Sequence, residues 1–385
     1  MGSGVLAMDP DSEIDFDMSP LLVRYKSGRV RRLMGASRAD AGADAATGVT
    51  SKDVVIDADA DADAGAGLAA RLFIPTDVLG TPAKLPVVVY FHGGGFVVRS
   101  AFSAVYTRFL NALASAARAV AVSVEYRLAP EHPVPAYDDG WAALTWAAAA
   151  AAGGGAGRGR PEEPWLAAHG DAARVFLAGD SAGGNIAHNV ALRAGRSGAG
   201  AGGLPGGARI EGLVLLHPYF GGKELVPSEN GGEHRSVRRQ TPERVWAFVC
   251  AGRYGMDHPF INPAAMAAAG WAALACRRVR ALVTVAERDF MRDRGRRYVE
   301  ALRGAGGSAV LYETAGEDHI YFLERAGAGR KMEKAAWRWR PLPPSSWLRQ
   351  HQAKPHHHHV HPHPWVAWIF VPSSSKQAIV KLTVI

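Results

Sequence analysis

A chain of 385 residues, 48% of them hydrophobic, is long enough to bury a large core. Its two cysteines, Cys250 and Cys276, give no disulfide framework, and no run approaches the ~20 apolar residues that span a bilayer. The formal charge of +8 is local: residues 325–385 hold ten Lys and Arg against the single acid Glu333, so they carry +9 and the first 324 residues carry −1. With no basic excess in the body of the protein, neither a nucleic-acid nor a membrane partner is expected.

Residues 1–17 lack a basic start and an apolar stretch, so no secretory signal is expected. With scarce cysteines this points to the cytoplasm, the nucleus remaining open. Residues 11–34 run from acids through Leu21-Leu22-Val23 to a basic stretch with some helical spacing, and read as an N-terminal cap. Residues 36–66 are Ala, Gly and Asp repeats. The Asp run at 57–63 invites calcium, but no glutamate follows at loop position twelve, so a flexible, solvated loop is expected. Residues 68–74 read as a strand and 75–84 as a turn-rich connection.

From Leu85 onward, strands and helices alternate. Strands are expected at 85–91, 120–126, 174–178, 210–216, 279–286 and 309–312, and helices at 104–117, 137–151, after Ser181 and at 292–303. Residues 153–164 and 195–207 are low-complexity loops. The alternation predicts an α/β fold, with a mostly parallel central sheet and helices on both faces. Residues 221–263 interrupt it, with a helix candidate at 242–252, and read as a cap insertion over the ligand crevice. The expected division is a cap and loop over 1–66, a core over 67–323, and a divergent, poorly ordered tail over 324–385. In that tail, Trp337-Arg338-Trp339-Arg340-Pro341 breaks a weak helix, and the tract around His356-His357-His358-His359 lacks partner ligands, so no metal site is expected.

The chemistry centres on Gly179-Asp180-Ser181-Ala182-Gly183, between a short apolar strand and a helix. Strand, sharp turn and helix form a nucleophile elbow. Small residues let strand and helix pack closely, the turn lifts the Ser181 hydroxyl, and the Ala182 N–H is left at a helix start where an oxyanion forms. Upstream, His92-Gly93-Gly94-Gly95-Phe96 follows a strand at once, and its glycines free backbone N–H groups to face a ligand. Gly93, Gly94 and Ala182 are the expected oxyanion donors, with His92, Gly95, Asp180 and Gly183 supporting the two motifs. A serine nucleophile needs a base and an orienting acid, in the chain order Ser, acid, His. Asp289 follows one late strand and His319 the last, so these complete the set, with Glu287 and Asp293 as rival acids. Asp318 reads as solvated, and His188, His217 and His258 as packed or surface residues.

These motifs, with Tyr126-Arg127-Leu128-Ala129-Pro130-Glu131-His132-Pro133, resemble the hormone-sensitive-lipase-like α/β hydrolases. The Ala182-Gly183-Gly184-Asn185 extension and His258-Pro259-Phe260-Ile261-Asn262-Pro263 resemble more narrowly the plant carboxylesterases, a group that includes the gibberellin receptors. The likeness covers roughly residues 12–323 and implies α/β-hydrolase architecture, an N-terminal cap, and hydrolysis of small carboxylic esters without a cofactor. It leaves two alternatives in view. One is a non-catalytic hormone receptor, in which the triad histidine is replaced although His319 is present here. The other is a dehydratase or lactone-forming enzyme using the same pocket.

Overall fold

The computed structural model describes residues 11–35, 37–57, 67–134, 136–153, 163–196, 204–230, 240–275, 279–323, 365–372 and 377–384. Its centre is the strand β7 (Leu85–Phe91), an unbroken apolar run. Such a run fits a strand covered on both faces. Val87, Val89 and Phe91 point into one core cluster and Val88 and Tyr90 into another, all at most 8% exposed. The period of two thus divides a single strand between two cores, each buried side chain contributing about 1.5–3 kcal/mol.

Around β7 the described residues form a nine-stranded sheet. On one side lie β8 (Val120–Glu125), β6 (Leu68–Pro75), β5 (Val49–Asp57) and β4 (Ala43–Asp44). On the other lie β9 (Gly170–Asp180), β10 (Ile210–Leu216), β11 (Arg280–Ala286) and β12 (Ser308–Thr314). From β8 through β7 to β12 neighbours are parallel, and β6, β5 and β4 add antiparallel pairs at one edge. Helix α1 (Ala104–Ala117) packs into the cluster of Tyr90, while α2 (Ala136–Ala151) and α4 (Ala182–Arg196) pack into that of Phe91. Helices therefore cover both faces, as expected. Two further helices contribute to the Phe91 side, α6 (Ala268–Ala275) through Trp271 and α7 (Arg292–Gly304) through Tyr298 and Val299, and the short α3 (Pro164–His169) adds Leu166.

This order has a functional consequence. The chain leaves β7 towards β8 on one side and leaves β9 towards β10 on the other, so the sheet's winding reverses between β7 and β9. Crevices for ligands open at the carboxyl ends of strands at such a point. The glycine loop after β7 and the elbow after β9 therefore emerge side by side.

Two expectations change. Residues 11–34, expected to have helical spacing, are instead a three-stranded antiparallel sheet of β1 (Ile14–Met18), β2 (Leu22–Tyr25) and β3 (Val30–Arg32). Strand pairing and burial decide the outcome: the strand at Leu22–Tyr25 pairs with both of its neighbours, and Phe16, Leu22 and Val23 are buried. The 36–66 stretch contains β4 and β5 rather than a continuous loop, and its residues 58–66 lie outside the described ones. Most of the 324–385 tail also lies outside them, save an antiparallel pair, β13 (Trp365–Pro372) with β14 (Gln377–Val384).

The small N-terminal sheet packs on helix α5 (Pro242–Val249), within residues 221–263, and that helix packs on the glycine loop. Phe16 stacks on Phe248 with ring centroids 4.1 Å apart, and Trp246 meets Phe96 edge-on. Arg32 reaches down to Val97 O at 2.7 Å and pairs with Glu131, tying the sheet to the glycine loop. The end of the insertion is held by a buried polar knot. Asn185 Oδ1 accepts from Tyr137 OH at 2.8 Å, and its Nδ2 donates to Tyr219 O at 3.0 Å and Phe260 O at 2.7 Å. Asn185→Ala removes the acceptor of the Tyr137 hydroxyl and one donor each to Tyr219 O and Phe260 O, the latter keeping Asn189 Nδ2 at 3.1 Å. The expected cost is about 2–3 kcal/mol, read as a lower unfolding midpoint in denaturant.

Candidate active site

Ser181 sits at the turn from β9 into α4 with φ of +51°, a conformation that an L-residue adopts only when the surroundings enforce it. Close packing supplies the enforcement. A Cβ on Gly183 would lie 1.9 Å from Phe91 O, and one on Gly179 would lie 2.4 Å from the Gly183 carbonyl carbon. The two glycines let strand and helix touch, and the Ser181 N–H donates to Leu216 O at 2.9 Å.

The three residues spaced along the chain as nucleophile, acid and base are brought together. His319 Nε2 lies 3.0 Å from Ser181 Oγ, and His319 Nδ1 lies 2.7 Å from Asp289 Oδ2. The other Asp289 oxygen accepts the Met291 N–H at 2.9 Å. Burial pushes the Asp289 carboxyl up, but His319, His217 and the Met291 N–H together hold it below its ordinary value. A carboxylate at Oδ2 keeps a proton on His319 Nδ1, which leaves Nε2 with a lone pair aimed at the hydroxyl.

The rival acids have other partners. Glu287 accepts the Gly316 N–H, tying the acid loop to the His319 loop from behind. Asp293 accepts the Ser228 N–H and pairs with Arg292 and Arg296. Asp318 is exposed. Among the other histidines, His188 is buried against Phe220 and Tyr298, and His258 packs on Tyr254 and Phe260.

One expected donor is corrected. The Gly93 N–H is already spent, donating to Tyr106 OH at 2.8 Å and Asp180 Oδ1 at 3.0 Å. A Cβ at Gly93 would fall 2.3 Å from Asp180 Oδ2, so the loop has dropped onto that carboxylate. Asp180 is fully buried and also accepts from the Tyr90 and Tyr106 hydroxyls. Burial raises its carboxyl above the ordinary value despite those donors. It acts as a clip between elbow and glycine loop. Beside the clip, the Gly94 and Gly95 N–H groups have no acceptor among the described residues, with φ of +109° and +62° that suit only glycine well. The Ala182 N–H is an unspent donor in the first turn of α4. His92 supports the loop from below, neutral, its ring stacked on Tyr126 and its pKa lowered to about 4 by burial.

Sequence reasoning missed Tyr90, Tyr106 and His217. The tyrosines offered no signal beyond their strand and helix positions. His217 directly follows β10 and could have been flagged from that place at the sheet's carboxyl edge. His217, Asp289 and His319 present ligand-type atoms within 4.8 Å of one another, but His319 Nδ1 is hydrogen-bonded to Asp289 and His217 Nδ1 accepts the Ile320 N–H.

Comparison with known proteins agrees with this fold. Residues 88–323 match a family model described as having the alpha/beta hydrolase fold. The chain is 42% identical over 314 residues to 2-hydroxyisoflavanone dehydratase of Glycyrrhiza echinata, covering 80% of this chain and 90% of that one. It is 41% identical over 323 residues to probable carboxylesterase 13 of Arabidopsis thaliana, covering 81% and 93%. A solved esterase of Pyrobaculum calidifontis superposes with a TM-score of 0.54 at 28% identity, over 71% of this chain and 78% of that one. The chain belongs to the α/β-hydrolase family, in the hormone-sensitive-lipase-like branch that holds the plant carboxylesterases.

Proposed function

We propose that the chain hydrolyses carboxylic esters of small molecules, with Ser181 as nucleophile, His319 as general base and acid, and Asp289 as the orienting carboxylate. The Gly94, Gly95 and Ala182 N–H groups receive the oxyanion. The observation that carries this reading is a hydrogen-bond relay from Asp289 through His319 to Ser181.

The Ser181 oxygen attacks the acyl carbon while its proton passes to His319 Nε2. The carbonyl oxygen becomes an oxyanion facing the amides, each such donor supplying about 3 kcal/mol of barrier reduction. Collapse expels the alcohol, which takes the proton from His319 and leaves an acyl-serine. Water then repeats the sequence, its proton going to His319 and on to Ser181 as the acid departs. Asp289 stays ionised throughout and offsets the transient imidazolium charge. Aromatic rings around Phe96, Tyr137, Tyr219 and Trp246 suit an apolar substrate portion.

The test is turnover of p-nitrophenyl acetate or butyrate by the full chain. One equivalent of carboxylic acid per phenol released is expected. A well-folded protein that binds such esters without turning them over would favour the receptor reading. The dehydratase relative gives a second chemistry a specific footing, and loss of water from a β-hydroxy ketone without ester cleavage would establish it.

A further inference from the structure

His217 is a buried titratable group beside the reacting residues that the mechanism above does not use. It follows β10 with φ of +47°, donates its N–H to Thr284 O at 3.0 Å, and is 2% exposed. Its Nδ1 accepts the N–H of Ile320, the residue after His319, at 2.9 Å. The same nitrogen lies 3.8 Å from Asp289 Oδ2, and the rings of His217 and His319 have centroids 5.8 Å apart. Tyr321 and Phe322 close around the ring.

A ring nitrogen that accepts an N–H bears no proton, so the imidazole is neutral, with its proton on Nε2. Burial and the nearby His319 agree, lowering the His217 pKa to about 3 against the pull of Asp289. The segment it holds needs holding. Ile320 has φ of +49°, a poor conformation for a β-branched residue, costing about 1–3 kcal/mol. The neighbouring Tyr321 N–H reaches Asp318 O only at 3.4 Å. Without an acceptor for the Ile320 amide the turn can relax, and His319 moves with it. The acceptor must also be uncharged. A carboxylate there would repel Asp289, and a cation would compete with His319 for it.

We propose that His217 is a positioning residue, a neutral imidazole that pins the Ile320 amide and so fixes His319 between Asp289 and Ser181. This rests on the reading of Ser181, His319 and Asp289 as the reacting groups. His217→Leu keeps apolar bulk and removes the acceptor. Its kcat for p-nitrophenyl butyrate is expected to fall about 10- to 100-fold with KM near the wild-type value. The downfield proton resonance of the His319–Asp289 hydrogen bond should weaken or vanish in parallel. His217→Asn places Oδ1 where Nδ1 was and tolerates positive φ, so it should restore most of kcat and the resonance. A leucine variant with wild-type kcat and resonance overturns the proposal, and so does an asparagine variant as slow as the leucine one. If the leucine variant does not fold, hydrogen exchange of the wild-type Ile320 amide decides. Strong protection supports the pin, and exchange at the rate of an exposed amide overturns it. Turnover that persists in Ser181→Ala would remove the underlying reading instead, which separates the two failures.

Discussion

Ser181→Ala is expected to lower kcat for p-nitrophenyl butyrate by about a millionfold, to near the background rate. The effect is that large because the other groups act only through the missing oxygen. His319 Nε2, 3.0 Å from Ser181 Oγ, loses the proton it would take. The amides of Gly94, Gly95 and Ala182 keep their places, but no oxyanion forms between them. Substrate affinity should change little, since only one small atom is lost and the surrounding side chains are untouched. Alanine accepts the φ of +51° about as poorly as serine, so the unfolding midpoint should stay near that of the wild type. Residual turnover above about one hundredth of the wild-type rate would show that another nucleophile operates.

Asp289→Asn should cost about 10⁴-fold in kcat, for a reason the geometry fixes in advance. The Met291 N–H donates to Asp289 Oδ1, so the amide oxygen of an asparagine stays there and its NH₂ turns to His319. His319 Nδ1 must then accept, which places the imidazole proton on Nε2. A protonated Nε2 donates to Ser181 Oγ and cannot take its proton. The variant should therefore bind substrate normally and bury the same surface, yet fail at the first proton transfer. A loss of tenfold or less at neutral pH would mean that Asp289 only packs, and kcat with KM measured together tells the two apart.

How much of this was legible in the sequence varies with the range of the interaction. The strand Leu85–Phe91 and the helix Ala104–Ala117 were readable to the residue, because a continuous apolar run and a long alanine-rich stretch carry their own signal. The N-terminal sheet was not. Its strands span three to five residues and are held by pairing with each other and by the stacking of Phe16 on Phe248, neither of which a local window contains. The strand Val49–Asp57 was hidden by the Asp and Ala repeat that follows it, although its partner strand orders it.

The same division holds at the site. Ser181, Asp289 and His319 could be proposed because each follows a core strand in an order the fold dictates. Which glycine amide stays free could not, because it depends on the Asp180 carboxylate reaching across from the neighbouring strand to Gly93. Residue spacing says nothing of that reach. His217 could be placed at the sheet's carboxyl edge, but its bond to Ile320 could not be read, since it joins positions 103 residues apart. Sequence order finds groups that chemistry requires, while the groups that merely hold them emerge from packing.

The most direct measurement is covalent labelling by a fluorophosphonate, followed by mass mapping of the modified peptide. The account predicts one phosphonyl adduct, on the Ser181 oxygen, formed rapidly by the wild type, slowly by Asp289→Asn and not at all by Ser181→Ala. A folded protein that takes up no label, or that carries it on any other residue, would contradict the account.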